Sequence, residues 1–370
     1  MKKSDLETPA VLVNLDALEK NIKSYQARAV QYGKQIWPMI KTHKSSEIAK
    51  MQLAAGCTGF LTGTLDESER LCDMGVKNIM YAYPVASEAG IARVIALAAK
   101  CNFIIRIDNY TGAKMLNQQA ARDGVTVNYT VKVDCGLHRF GVSPGKIADF
   151  ANALTAFNHL CFKGISTHPG HVYGALARID IQQYAEAEKN GMAWAAKELE
   201  AHGFELNIIS SGSTPTFFDA VDDAKIGIYH PGNYVYNDTI QLAIGNAAED
   251  DCALTVCATV VSQPAADVYI MDAGAKCLGL DKGGHGNTNI QGFGRVKGHP
   301  ELIVQSLSEE VGKLYAQNST GLKVGDQIEI IPNHSCSTGN LTSYLIGCRQ
   351  EKVERVIHVD MRGNSTAKLP

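Results

Sequence analysis

Between residues 35 and 232 the chain alternates apolar runs with helical patterns, and it does so eight times. The apolar runs cover 35–41, 59–63, 78–84, 103–108, 125–134, 161–167, 206–212 and 225–232. The helical patterns between them cover 45–55, 65–74, 87–100, 110–121, 143–154 and 179–202, with a short one near 214–218. Eight strand–helix units in this length constrain the chain more than any other feature, because parallel strands need helical crossovers and eight of them can close on themselves. The predicted fold is α/β, a (β/α)8 TIM-type barrel. An open doubly wound sheet is the alternative, but no GxGxxG fingerprint supports it.

The pattern changes after about Asp238. Residues 253–263, 267–272 and 323–331 read as strands, with turns at Gly283-Gly284 and Gly325-Asp326, and 308–316 reads as a helix. This predicts a C-terminal antiparallel β domain. A strand over 8–14 precedes everything, followed by a helix capped by Asp16, and the spacing leaves that strand free to return to the β domain. The expected division is a barrel over 15–240 and a β domain over 241–370 joined by the strand in 1–14. The 370 residues carry a net charge of −3, which gives no electrostatic case for nucleic acid or an anionic membrane. No run of about 18 apolar residues is present, no signal peptide is visible, and ten scattered cysteines form no CxxC pair. A cytoplasmic protein with mostly buried thiols is the expectation.

Polar clusters fall at the carboxyl ends of five predicted barrel strands, where barrels place their chemistry. Lys41 and His43 end the first. Asp134–Val142, with Arg139, follows the fifth; His168–Tyr173 the sixth; Ser210–Thr216 the seventh; His230–Asp238 the eighth. A strand-end lysine is usually solvated, but a partly desolvated one can form a Schiff base with an aldehyde. Ser211, Gly212, Ser213 and Thr214, just before a short helix, read as a phosphate cradle, completed by Gly232. A phosphate site facing such a lysine points to pyridoxal phosphate on Lys41. Arg139 could hold the cofactor's ring oxygen or a substrate carboxylate, a surface ion pair being the plainer alternative. His171 and Tyr173 could flank the ring or transfer protons. In the β domain, His334 and Cys336 stand two apart, so extended backbone would turn both the same way. Imidazole and thiolate suit Zn²⁺, and only two protein ligands would leave positions for substrate. The commoner outcome for such a pair is a buried cysteine beside a hydrogen-bonded histidine.

The order of these stretches resembles a known family. Lys41-Thr42-His43-Lys44-Ser45, the DxGxxRxGV of 134–142, the HxGHxY of 168–173, Ser211-Gly212-Ser213-Thr214-Pro215, Pro231-Gly232 with Tyr236 and Asp238, Asp272-Ala273-Gly274-Ala275-Lys276 and Pro332-Asn333-His334-Ser335-Cys336 follow one another as in the metal-activated D-serine dehydratases and D-threonine aldolases. These are fold-type III pyridoxal-phosphate enzymes with an alanine-racemase-like barrel, and the resemblance runs over nearly the whole chain. It implies a Schiff base at Lys41, Arg139 and Tyr173 near the cofactor, and a phosphate site at Ser211–Thr214 with Gly232, Asn233 and Tyr234. It implies a metal on His334 and Cys336: zinc as in the dehydratases, or manganese or another divalent ion as in the aldolases, whose second ligand is usually an aspartate. It also implies a homodimer and a D-3-hydroxy amino acid substrate, such as D-serine or D-threonine.

Lys41 would then remove the α-proton while zinc activates the β-hydroxyl, giving a 2-oxo acid and ammonia. The aldolase alternative deprotonates that hydroxyl, through His171 or a metal-bound water, and yields glycine and an aldehyde; D-3-hydroxyaspartate is an alternative substrate for either reaction. A non-catalytic cofactor carrier would leave the β domain unexplained, and a racemase would leave the metal pair idle. One departure stands out: Trp37-Pro38-Met39 replaces the family's Arg-Pro-His, which points to altered substrate recognition.

Overall fold

Asn14 both ends the first strand, β1 (Ala10–Asn14), and caps the first helix, α1 (Leu15–Gln31). Its side chain accepts the N–H groups of Asp16 and Ala17 at 3.0 and 3.1 Å, so the helix begins before Asp16, the predicted cap. The structure is a computed structural model that describes residues 1–282, 288–318 and 320–363.

Eight parallel strands follow: β2 (Gln35–Ile36), β3 (Phe60–Thr62), β4 (Asn78–Tyr81), β5 (Asn102–Ile107), β6 (Val127–Lys132), β7 (Leu160–Ser166), β8 (Ile208–Ser211) and β9 (Ile228–Tyr229). Their order is β2-β9-β8-β7-β6-β5-β4-β3. A parallel bridge between Met39 and Leu61 joins the two ends, so the sheet is a nearly closed barrel. Helices α2 (Ser46–Ala54), α3 (Leu65–Asp73), α4 (Glu88–Ala98), α5 (Tyr110–Asp123), α6 (Ile147–Leu154), α7 (Arg178–Ala201) and α8 (Phe217–Ala220) lie between the strands. Ser45, Thr64, Ser87 and Asn109 cap the helices that follow them, each with a side-chain oxygen. That fixes where each loop leaves the mouth of the barrel.

Inside the barrel, Trp37, Met39, Leu61, Met80, Ala82, Ile104 and Ile228 form an apolar plug. Each such side chain, once buried, contributes about 1.5–3 kcal/mol. Above the plug the lining turns polar, and there the cavity opens.

The second sheet contains β10 (Leu254–Ala265), β11 (Val268–Met271), β12 (Arg295–Val296), β13 (Leu302–Leu307), β14 (Gly312–Ala316), β15 (Gln327–Ile331), β16 (Tyr344–Arg349) and β17 (Lys352–His358). β10 pairs with both β15 and β11, so β10, β11, β14, β13, β12 and β15 close into a small antiparallel barrel. Its interior holds Val256, Val260, Met271, Val304, Leu314 and Ile330. β1 lies between β10 and β16, antiparallel to the former and parallel to the latter. The helix predicted over 308–316 is absent: β14 occupies its second half and pairs with both β11 and β13. Edge pairing outweighs the helical spacing of Val311, Leu314 and Tyr315, because the closed barrel satisfies the backbone of Gly312–Ala316 from two sides. The predicted turn at Gly283-Gly284 lies outside the described residues. No helix of the described residues is long and apolar enough to cross a membrane.

Candidate active site

The first barrel strand is short. β2 stops at Ile36, and Lys41 sits in a single 3-10 turn, Ile40–Thr42, rather than on the strand predicted to reach it. The turn is held from behind by His43. Its Nδ1 accepts the Ser45 N–H at 3.1 Å, so Nε2 carries the proton and donates to Gln52 Oε1 at 3.2 Å. Gln52 in turn donates to the Tyr234 hydroxyl at 2.9 Å. Burial holds the His43 ring far below its ordinary value, at about 3, so it is a neutral strut.

Lys41 opens into a cavity of about 210 Å³ at the carboxyl ends of the barrel strands, with Thr42, Arg139, Tyr173, Ser213, Gly232, Asn233, Asp238, His334 and Cys336 on its walls. Eight predicted site residues therefore meet here: Lys41, Arg139, Tyr173, Ser213, Gly232, Asn233, His334 and Cys336. The other five do not line it. Ser211 is buried and donates to Glu188, while Gly212 crosses behind the wall with φ +119°, where a Cβ would lie 3.0 Å from the His230 nitrogen. Thr214 is buried too, and its Oγ1 accepts from the N–H groups of Gly232 (3.2 Å) and Tyr234 (3.0 Å), tying the loop after β8 to the loop after β9. Tyr234 stacks its ring on Tyr25 at 4.5 Å. His171 turns away and packs edge-on against Tyr184 at 4.8 Å.

The β domain delivers His334 and Cys336. They do not share one extended stretch, as the spacing predicted: His334 is extended, but it stands at the N-cap of a one-turn helix, Ser335–Thr338, that holds Cys336. The cause is Asp238, whose Oδ2 accepts the Ser335 N–H at 2.9 Å and the Asn233 side chain at 2.7 Å. This bends the chain and still leaves both side chains on the cavity wall. Cys336 Sγ lies 3.2 Å from Thr42 Oγ1. Asn340 Nδ2 donates to the carbonyl oxygens of Cys336 (2.5 Å) and Lys41 (3.1 Å), clamping the thiol turn to the lysine turn. Burial pushes the Cys336 thiol up, but the His334 ring and the Lys41 ammonium reverse this and hold it below its ordinary value. Burial likewise lowers His334, and Cys336 with Asp281 (Oδ2 3.4 Å from Nδ1) turns the net shift well upward. Both shifts favour the charged forms, thiolate beside imidazolium, and a soft-tolerant divalent ion would take over that donor set by displacing the imidazolium proton.

The opposite wall holds residues that the sequence reading passed over. Arg106, on β5, is 1% exposed, and its Nε and Nη2 meet no hydrogen-bond partner. Lys132, at the end of β6, is 4% exposed. Burial lowers Arg106 to about 9. Burial, then Arg106 and Arg139, lowers Lys132 well below the ordinary lysine range. The legible signal was a cation at an inward position: Arg106 stands two residues after Ile104 of the apolar plug, so both face inward. His168 and His230 also reach the cavity, and burial keeps both neutral near physiological pH. Four basic side chains, Lys41, Arg106, Lys132 and Arg139, thus surround a space whose one lining carboxylate among the described residues is Asp238. On the β8–β9 side, Lys41 with the Ser213 hydroxyl at the bonded loops fits a phosphorylated aldehyde cofactor.

Comparison with known proteins gives a consistent result. Residues 13–239 match the family of the alanine racemase N-terminal domain, and residues 253–348 match a serine dehydratase domain. The chain is 30% identical to the D-threo-3-hydroxyaspartate dehydratase of Delftia sp. (strain HT23), over 90% of this chain and 92% of that one. It is 29% identical to the D-serine dehydratase of Dictyostelium discoideum, over 92% of this chain and 93% of the relative. Among solved structures, a cysteine-to-alanine variant of D-threo-3-hydroxyaspartate dehydratase, in the metal-free form, superimposes with a TM-score of 0.90 at 27% identity, covering 97% of this chain and 98% of that one.

Proposed function

This chain belongs to the family of the metal-activated D-serine dehydratases and D-threonine aldolases, and from that premise we propose that it is a pyridoxal-phosphate-dependent lyase that converts a D-3-hydroxy amino acid to a 2-oxo acid and ammonia. The observation that carries this reading is the clamp made by Asn340, which holds the Lys41 turn and the His334–Cys336 turn on one cavity. A lyase needs its proton-abstracting group and its hydroxyl-activating group within one substrate's length, and the clamp sets that distance.

Lys41 would hold the cofactor's aldehyde, Ser213, Gly232 and Asn233 its phosphate, and Arg139 its ring oxygen or the substrate's α-carboxylate. His334 and Cys336 would hold the metal, taken here as zinc. When bound, the cofactor supplies an electron sink for the α-carbon and the metal a Lewis acid for the β-hydroxyl. Lys41 Nζ, on the same cavity wall as the His334–Cys336 pair, would take the α-proton. Thr42, 3.2 Å from the Cys336 sulfur, keeps that thiolate hydrogen-bonded. Tyr173 stays a protonated phenol, because burial raises it well above the ordinary value and its hydroxyl is bonded to Thr214. It therefore serves to position rather than to abstract. One water leaves with the β-hydroxyl and one enters on hydrolysis, so the net change is release of ammonia.

Homodimer assembly belongs to the same reading. Leu280 and Leu341 are exposed near the metal pair, where a Cβ on Gly279 would touch Leu341, and a second chain would cover them. Ten unpaired cysteines suit a reducing compartment such as the cytoplasm.

The test is product analysis with D-serine and D-threonine. Ammonia with an equal amount of 2-oxo acid is expected. Glycine with an aldehyde would move the chain to the aldolase branch, and no product with any D-3-hydroxy amino acid would refute the lyase reading.

A further inference from the structure

The cavity has one wall that the proposed chemistry leaves unused. Arg106 projects inward from β5, one layer above Ile104 of the apolar plug, and Lys132 projects from the end of the neighbouring strand β6. In the strand order β9-β8-β7-β6-β5, Arg106 stands four strands from β9. In an eight-stranded barrel that is the far side from Ser213, Gly232 and Asn233, where a phosphate would sit. Arg106 is almost fully buried, with Nε and Nη2 unpartnered. Asp108, the carboxylate whose charge acts on Lys132, is engaged by the Gly141 N–H at 3.1 Å, Asp134 accepts from the Gly136 and His138 N–H groups, and neither lines the cavity. A buried guanidinium without an acceptor is a strongly unfavourable arrangement unless a ligand supplies the acceptor. The planar fork of an arginine matches a carboxylate in particular.

We propose that Arg106 and Lys132 form a carboxylate pocket for the second acid group of a D-3-hydroxy dicarboxylic amino acid, so that the favoured substrate carries a carboxylate on its β-carbon. This rests on the lyase reading above, since it takes the same cavity as the substrate site. The pocket's position gives the specificity. The phosphate of the cofactor is drawn to the loops after β8 and β9, and the substrate's α-carboxylate has Arg139 at the rim. The acceptor that remains for Arg106 must come from the far end of the substrate. Met39, Leu61 and Ala82 line the cavity beside it and offer the guanidinium no side-chain acceptor, and a methyl group on the substrate would offer none either.

A free inorganic anion could also satisfy Arg106, and the experiment separates the two sources. With the holoenzyme, kcat/KM is measured for D-threo-3-hydroxyaspartate, D-serine and D-threonine in buffers with and without chloride. The acidic substrate is expected to be preferred by about 100-fold or more, because a buried polar site left unpaired rejects the analogue that lacks its partner. Arg106→Met should reduce that preference ratio by about the same factor, and Arg106→Lys should recover part of it. Binding gives a second readout: D-aspartate, which has no hydroxyl to eliminate, should bind the holoenzyme more tightly than D-alanine by calorimetry. Arg106→Met should erase that difference. If the variants do not fold, the wild-type preference and the wild-type binding difference decide. Equal turnover of acidic and neutral substrates overturns the pocket. So does an equal loss for all substrates in Arg106→Met, or activity on neutral substrates that tracks chloride. Should no D-3-hydroxy amino acid react, the lyase reading falls, while the D-aspartate comparison still tests Arg106.

Discussion

Two walls of one cavity are built on opposite plans. On the β8–β9 side a chain of hydrogen bonds ties the loops together: Ser211 donates to Glu188, Thr214 accepts from Gly232 and Tyr234, and Tyr173 bonds to Thr214, while His230 Nε2 and Asn233 Oδ1 are left without a partner. On the β5–β6 side Arg106 and Lys132 are buried, and the Nε and Nη2 of Arg106 meet no acceptor. The first wall is uncharged for the most part and tied together by its own bonds. The second is complete only when a ligand brings negative charge. The difference separates residues that define the cavity from residues that read its contents.

The comparison can be broken or sharpened by substitution. The largest effect is expected between the walls. Lys41→Ala should lower kcat by at least about 10³-fold, since it removes the positioned proton acceptor, and the yellow absorbance of bound cofactor should go with it. Full activity with retained absorbance would remove Lys41 from the site.

On the bonded wall, burial raises the Glu188 carboxyl to about 7, outweighing its hydrogen bonds to Ser211 and Thr216 and the charge of Lys189. A raised acid is protonated in the folded state while the unfolded state ionises near its ordinary value of about 4.3. The folded protein therefore binds the extra proton between those two values, and stability falls as pH rises through that window. Glu188→Gln should remove the slope and raise unfolding stability at pH 8 by about 3 kcal/mol, read by urea titration at pH 5 and pH 8. An unchanged slope would mean that the wall is not closed on itself.

The opposite wall should respond in the reverse sense to loss of its own polar group. Arg106→Met removes an unpartnered buried charge and should stabilise the ligand-free protein by about 1–3 kcal/mol. Thr214→Val, an isosteric change on the bonded wall, should destabilise by about 1–2 kcal/mol, because it strands two backbone N–H groups. If both substitutions shift the unfolding midpoint in the same direction, the two walls are not the contrasting structures described.

How far the sequence announces all this differs between the same regions. The barrel was legible because eight apolar runs of strand length alternate with capped helices, and Ser45, Thr64, Ser87 and Asn109 mark the caps. The small barrel was less so. Leu302–Leu307 and Gly312–Ala316 are short and carry charges nearby, and their strand character comes from closure with distant β10 and β11. The clusters at strand ends were visible as polar stretches interrupting apolar ones. Which member of a cluster reaches the cavity was not visible: Tyr173 does and His171, two residues earlier, does not, because a short 3-10 helix turns the chain between them. Arg106 and Lys132 escaped notice because each is a single cation in a strand, and only the inward face of a closed barrel gives it meaning. Asn340, which joins the Lys41 turn to the His334–Cys336 turn, belongs to no motif and emerges only from tertiary contact.

The most direct test of the central claim follows ammonia release from a D-3-hydroxy amino acid through a cycle of chelation and zinc addition, with Cys336→Ala beside the wild type. The account predicts ammonia and 2-oxo acid in equal amounts, loss on chelation, recovery with zinc, and no recovery in the variant. Product formation indifferent to chelator, or restored by zinc equally in Cys336→Ala, would contradict it.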